Sequence, residues 1–177
     1  MKLIVLDRDG VINHDSAAYI KSPVEWRPIA GSLAAIARLN QAGFHVAVAT
    51  NQSGIGRGFF DMAALNAIHT KMHQALAQAG ARVDAIFFCP HTAEDNCLCR
   101  KPKTGMYEDI ARRLNTRLSG VPMVGDSIRD LEAAAAVHAS PLLVLTGNGK
   151  KTQRAGKLPP DTRVYPDLAA AVDALVN

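Results

Sequence analysis

Five short apolar runs organise this sequence, and four of them stop at a side chain that can do chemistry. Leu3–Leu6 runs into Asp7, Phe44–Ala49 into Thr50, Val83–Phe88 into Cys89, and Val121–Val124 into Gly125-Asp126. Leu142–Leu145 is the fifth. Runs this short and this largely apolar, broken only by His45 and Asp84, read as strands buried on both faces. Between them, apolar residues recur at helical spacing. Leu33, Ile36 and Leu39 predict a helix between Gly31 and Gly43. Leu65, Ile68, Met72 and Leu76 predict a second, capped by Asp61 and closed by Gly80. Met106, Ile110, Leu114 and Leu118 mark a third, and Ile128–Val137 and Asp167–Val176 two more. Strand–helix alternation along the whole chain predicts an α/β fold, a mostly parallel sheet with helices on both faces. Ligands bind such sheets beyond the carboxyl ends of the strands. Asp7, Thr50, Cys89 and Asp126 are therefore expected to meet at one edge.

Composition sets the outer bounds. A chain of 177 residues that is 48% hydrophobic and 20% charged is globular, which excludes a disordered, collagen-like or disulfide-framework protein. With no repeat, low-complexity tract or linker, residues 1–177 read as one domain. No apolar run approaches the ~18 residues of a membrane span, and the N-terminal run is too short for a signal peptide. A cytoplasmic protein without membrane contact is expected. The net charge of +4 falls within residues 146–163, where Lys150, Lys151, Arg154, Lys157 and Arg163 face Asp161 alone. That Gly/Pro-rich stretch reads as a solvated loop. With aromatics at only 5%, it does not make a nucleic-acid footprint.

The chemistry begins at Asp7-Arg8-Asp9-Gly10. Two carboxylates two residues apart project to the same side of an extended chain. A calcium loop fails here, because Val11 stands at its third acidic position and Ala18 at its twelfth. Gly125-Asp126-Ser127-Ile128-Arg129-Asp130 brings a second acidic pair, with Asp126 suited to a hard divalent cation. Thr50-Asn51-Gln52-Ser53-Gly54 offers a hydroxyl, amides and backbone N–H groups to a phosphate. Lys101 supplies positive charge and Arg100 a bidentate anion clamp.

The ordered set Asp7-x-Asp9-Gly10, Thr50, Lys101 and Gly125-Asp126-x-x-x-Asp130 resembles the four motifs of the haloacid dehalogenase (HAD) superfamily of phosphohydrolases. The resemblance covers essentially the whole chain. It implies a Rossmann-like HAD fold, and the short inserts imply no separate cap domain. It also implies a mechanism. Asp7 would be the nucleophile, forming an aspartyl-phosphate, and Asp9 the general acid and base. Thr50 and Lys101 would stabilise the phosphoryl group. Mg²⁺ would be held by Asp7, Asp126 and the backbone carbonyl of Asp9. Asp130 would orient Lys101 or a water on the metal.

All three cysteines fall within eleven residues, as Cys89-x-His91-x₅-Cys97-x-Cys99. Three thiols cannot pair completely, whereas Cys₃His is an established zinc set with no position open for water. A structural zinc in a loop spanning 89–99 is expected, stiffening the segment that delivers Arg100 and Lys101. His69 and His73 lack a third ligand and read as solvated helix surface. His45 and His138 read as ordinary, and His14 could touch substrate. The zinc loop, Asp-Arg-Asp-Gly and Thr-Asn-Gln-Ser-Gly together look like the D-glycero-D-manno-heptose-1,7-bisphosphate 7-phosphatases, which act in nucleotide-heptose synthesis for the lipopolysaccharide core. This resemblance implies a small phosphorylated sugar as substrate. Arg100 would face its second phosphate and Asp15, Ser16, Ala17 and Ala18 would lie over the sugar. Arg8, Asn51, Gln52, Ser53 and Ser127 complete the expected substrate contacts. The histidinol-phosphate phosphatases share the pattern and are the first alternative. A receiver-like phospho-acceptor and a zinc-stapled nucleic-acid module are the others. A monomer is expected.

Overall fold

The computed structural model describes every residue, Met1–Asn177. Six strands form one sheet: β1 (Lys2–Leu6), β2 (Phe44–Asn51), β3 (Ala85–Cys89), β4 (Pro122–Gly125), β5 (Ser140–Val144) and β6 (Arg163–Tyr165). Their spatial order is β3-β2-β1-β4-β5-β6, and every pairing is parallel. The order reverses between β1 and β4, so a crevice opens where the chain leaves these two strands in opposite lateral directions. Asp7 and Asp126 follow them.

Alternation within each strand explains why both faces are covered. On β1, Ile4 and Leu6 join Val46, Val48, Val124, Leu142 and Val144 on one face. That face is covered by α1 (Ser32–Gln41), α3 (Met62–Gln78) and α7 (Leu168–Val176). Leu3 and Val5 join Ala47, Ala49 and Met123 on the other, under α4 (Gly105–Arg113) and α5 (Ile128–Ala136). Each fully buried Leu, Ile or Val contributes about 1.5–3 kcal/mol. Two such layers hold the crevice rigid.

The helices begin where their caps allow. Asp61 accepts the Ala64 amide at 2.9 Å to start α3, and Asp167 accepts from Ala170 at 2.8 Å to start α7. The periodicity through Leu118 overshot the end of α4. Asn115 takes a positive φ of 46°, the helix stops at Arg113, and Leu118 reaches the core from the loop beyond. Two elements had no apolar signal. Edge strand β6 has only three residues, and α6 (Gly149–Ala155) lies within the basic stretch expected to be loop. A four-residue helix, α2 (Ser53–Gly56), follows β2. No helix is long and apolar enough to cross a membrane.

Candidate active site

Three carboxylates and one ammonium meet at the crevice. Lys101, 2% exposed, lies 3.2 Å from Asp7 and 2.6 Å from Asp130, and donates to the Ala49 carbonyl at 2.7 Å. Asn51 fixes it through paired backbone contacts, accepting the Lys101 amide at 3.0 Å and donating to its carbonyl at 3.1 Å. Asp130 divides its oxygens. Oδ1 holds Lys101, and Oδ2 closes the capping box of α5 by accepting the Ser127 amide and hydroxyl, both at 3.1 Å. Burial works against the Lys101 charge, yet Asp130 and Asp7 outweigh it and raise its pKa. Burial raises Asp7 well above the usual carboxylate range; Lys101 opposes this and the neighbouring aspartates add to it.

Asp126 is seated by a loop that carried no recognisable motif. Oδ2 of Asp126 accepts the Asn148 backbone amide at 2.8 Å, and Thr152 donates to the Asp126 carbonyl at 2.7 Å. Gly10, at φ 83°, and Gly147 pack against that same carboxylate, where a Cβ on either would collide with it. Burial first, then Asp130, pushes Asp126 up to about 7. Ligand oxygens of Asp7, Asp126 and Asp130 all lie within 4.8 Å of one another. Three carboxylates against one lysine leave an excess of negative charge in a buried place, and Oδ2 of Asp7 and Oδ1 of Asp126 are free of hydrogen bonds. This donor set fits a hard divalent cation.

Asp9 is bound differently. Arg8 Nε and Nη2 donate to its two oxygens at 2.9 and 3.2 Å, Asn13 adds a bond of 2.9 Å, and Gln52 one of 3.1 Å. Burial acts upward on Asp9, but the Arg8 charge and these donors prevail and hold its pKa low. Arg8 itself is fully buried and does not line the cavity, which corrects its expected place at the substrate. Its remaining arm, Nη1, meets Nε2 of His69 at 3.1 Å. His69 was expected on the surface and is instead buried, because α3 turns it toward Arg8; His73, one turn on, is exposed.

The cavity above these groups has a volume of about 360 Å³. Asp7, Asp9, Thr50, Asn51, Gln52, Ser53, Arg100, Lys101, Asp126 and Ser127 line it, as do Asp15, Ser16 and Ala17 from the loop after β1. Ala18 turns away and lines a neighbouring depression with His14. Tyr19, Arg57, Arg129 and Asn148 also line the cavity and were missed. Asn148 and Asp15 bridge the mouth through a 2.9 Å bond. Asn148 directly precedes α6, so the basic stretch reaches the site instead of lying apart as a loop. Arg57 sits at the end of the Asn51–Gly56 segment, and Arg57, Arg100 and Arg129 all border this one cavity. Only chain direction past the strand ends could have indicated them.

The cysteine cluster assembles beside β3. Sγ of Cys89 lies 3.0 Å from Cys99 and 3.6 Å from Cys97, Cys97 and Cys99 are 3.7 Å apart, and His91 Nδ1 is 3.3 Å from Cys99 and 3.5 Å from Cys89. A tetrahedral zinc with Zn–S of about 2.3 Å and Zn–N of about 2.0 Å separates its ligands by about 3.5–3.8 Å, close to this spacing. At Cys97 burial acts upward, but the Arg100 amide and the neighbouring thiols outweigh it and bring the thiol down to about 6. Burial pushes the Cys89 and Cys99 thiols up, so Cys97 alone is predisposed to the thiolate a metal needs. The donor set is consistent with zinc.

Comparison with known proteins gives concordant results. A sequence profile described as HAD-hydrolase-like matches residues 98–171. The D-glycero-beta-D-manno-heptose-1,7-bisphosphate 7-phosphatase of Bordetella bronchiseptica is 62% identical over 177 residues, covering 100% of this chain and 99% of that protein. The enzyme of the same name from Pseudomonas aeruginosa is 54% identical, covering 99% of this chain and 98% of that one. A crystal structure of the B. bronchiseptica D,D-heptose 1,7-bisphosphate phosphatase, complexed with magnesium and phosphate, superposes with a TM-score of 0.97 at 63% identity, covering 99% of this chain and 98% of that one. The fold, the ordered acidic motifs and this near-complete similarity lead to one conclusion: the chain belongs to the D-glycero-beta-D-manno-heptose-1,7-bisphosphate 7-phosphatase family of HAD-like hydrolases.

Proposed function

We propose that this chain is a Mg²⁺-dependent phosphatase that removes the 7-phosphate of D-glycero-beta-D-manno-heptose 1,7-bisphosphate, within nucleotide-activated heptose synthesis. One observation carries the reading. Asp7, Asp9, Thr50 and Lys101 share a single cavity with Arg57, Arg100 and Arg129, so machinery for one phosphoryl group stands beside guanidinium groups suited to a second. Histidinol phosphate has no second phosphate to occupy them.

Asp7 attacks phosphorus as the C7–O–P bond breaks at the oxygen–phosphorus side, giving an aspartyl-phosphate. Lys101 and Thr50 hold the transferring oxygens, and Lys101 is kept in place by Asp130 at 2.6 Å. Asp9 protonates the departing alkoxide. It is ionised in the free protein, and the entering phosphate, a like charge beside it, raises its affinity for that proton. Asp9 then takes a proton from the water that cleaves the acyl phosphate, returning Asp7 and releasing inorganic phosphate. Mg²⁺, held by Asp7, Asp126 and the Asp9 carbonyl, neutralises the dianion that a carboxylate must approach. Cys89, His91, Cys97 and Cys99 would hold a structural zinc, which would stiffen the loop that ends in Arg100 and Lys101.

The test is Mg²⁺-dependent phosphate release from both anomers of the bisphosphate and from histidinol phosphate. A preference of about a hundredfold or more in kcat/KM for the beta bisphosphate is expected. A preference for histidinol phosphate overturns the substrate and leaves the chemistry.

A further inference from the structure

Behind the cavity lies a contact that neither substrate nor metal explains. Arg8 is fully buried, and a guanidinium presents its N–H donors in one fixed plane. A buried donor left without a partner costs about 1–3 kcal/mol, so each arm needs an acceptor. Two arms take the two oxygens of Asp9, at 2.9 and 3.2 Å. The third meets Nε2 of His69, 3.1 Å away on α3 and sixty-one residues along the chain. Burial, the Arg8 charge and His73 keep that imidazole neutral, with its pKa lowered to about 4, so Nε2 is free to accept when the ring proton sits on Nδ1.

We infer that His69 is a positioning residue for the reaction. By accepting from Nη1 it fixes the rotation of the Arg8 guanidinium, and both other arms then meet Asp9 in one plane. The carboxyl that must reach the leaving oxygen is thereby held in one orientation at the cavity wall. A helix remote from every strand-end motif thus sets the geometry of the proton-transfer group. This rests on the reading of Asp9 as acid and base.

Leaving-group dependence separates positioning from mere packing. An alkoxide needs a proton to depart, whereas p-nitrophenolate does not, and kcat/KM reports the steps up to its departure. General acid catalysis is worth about 10²–10⁴-fold, and a misaligned acid forfeits part of it. For His69→Leu we expect kcat/KM on the heptose bisphosphate to fall roughly 10- to 100-fold, and on p-nitrophenyl phosphate less than about 3-fold. His69→Gln, whose side-chain carbonyl accepts, should recover the bisphosphate reaction to within about 3-fold of wild type. If His69→Leu does not fold, as judged by its near-ultraviolet circular dichroism, His69→Met replaces it. Equal losses on both esters, no loss on the bisphosphate, or no recovery in His69→Gln overturns the inference. Asp9→Asn is measured in parallel. If it lowers both esters alike, the acid–base reading falls and the inference with it. If it spares the aryl ester while His69→Leu does not discriminate, the inference alone falls.

Discussion

Acidification should destabilise this protein in part through a single buried imidazole. In the folded chain His69 resists protonation down to about pH 4, because burial, the Arg8 guanidinium and His73 oppose a second charge there; unfolded, it titrates near the ordinary 6.5. Between those values the unfolded chain binds a proton that the folded chain does not. Stability contributed by the neutral ring is therefore present above pH 6.5 and lost as pH falls toward 4. Integrating the two titration curves from pH 7 to pH 5 gives a loss of about 2 kcal/mol, and the full loss below pH 4 is about 3 kcal/mol. The assay is urea denaturation of wild type and His69→Gln at both pH values. Glutamine does not titrate, and the other ionisable groups cancel in the difference between the two proteins. Wild type should lose about 2 kcal/mol more than His69→Gln between pH 7 and pH 5. Equal losses would show that His69 is protonated as easily in the folded chain as in the unfolded one, and the account of its burial against Arg8 would be wrong.

Three further outcomes are expected. Asp7→Asn should abolish turnover without lowering the thermal midpoint, since it removes one of three crowded carboxylates; substantial residual phosphate release would remove Asp7 as nucleophile. Lys101→Met should cost about 3–5 kcal/mol in denaturant unfolding, the penalty for leaving a buried charge without its partner, and a loss below about 1 kcal/mol would mean that the Asp7–Lys101–Asp130 contacts are not the buried network described. Elemental analysis should find one zinc per chain, and its removal by a chelator should lower the thermal midpoint. A metal-free preparation in which the loop from Cys89 to Cys99 keeps its protection from hydrogen exchange would count against a structural metal.

Much of this protein could be read from the sequence because its signals are local. An apolar run that ends at Asp7 or Thr50 names both a strand and the edge where its chemistry sits. The pairing of Asp7-x-Asp9 with Gly125-Asp126 needs only strand order to become a cluster. The Cys₃His set declares itself by residue type and count. What escaped was carried by groups with no periodic or compositional signature. Arg8 lies between two catalytic-motif carboxylates, and only packing shows that its side chain runs inward to Asp9 and His69. His69 and His73 lie one turn apart on the same side of α3, yet the first is buried against Arg8 and the second is exposed. Asn148 sits in a stretch whose composition suggested a solvated loop, and it reaches Asp126 because the chain leaving β5 passes the mouth of the crevice. Local pattern determined the elements and the chemistry they carry. Which side chains close around that chemistry was decided by tertiary contacts between segments far apart in the chain, since hydrogen bonding and burial depend on distance in space and not along the sequence.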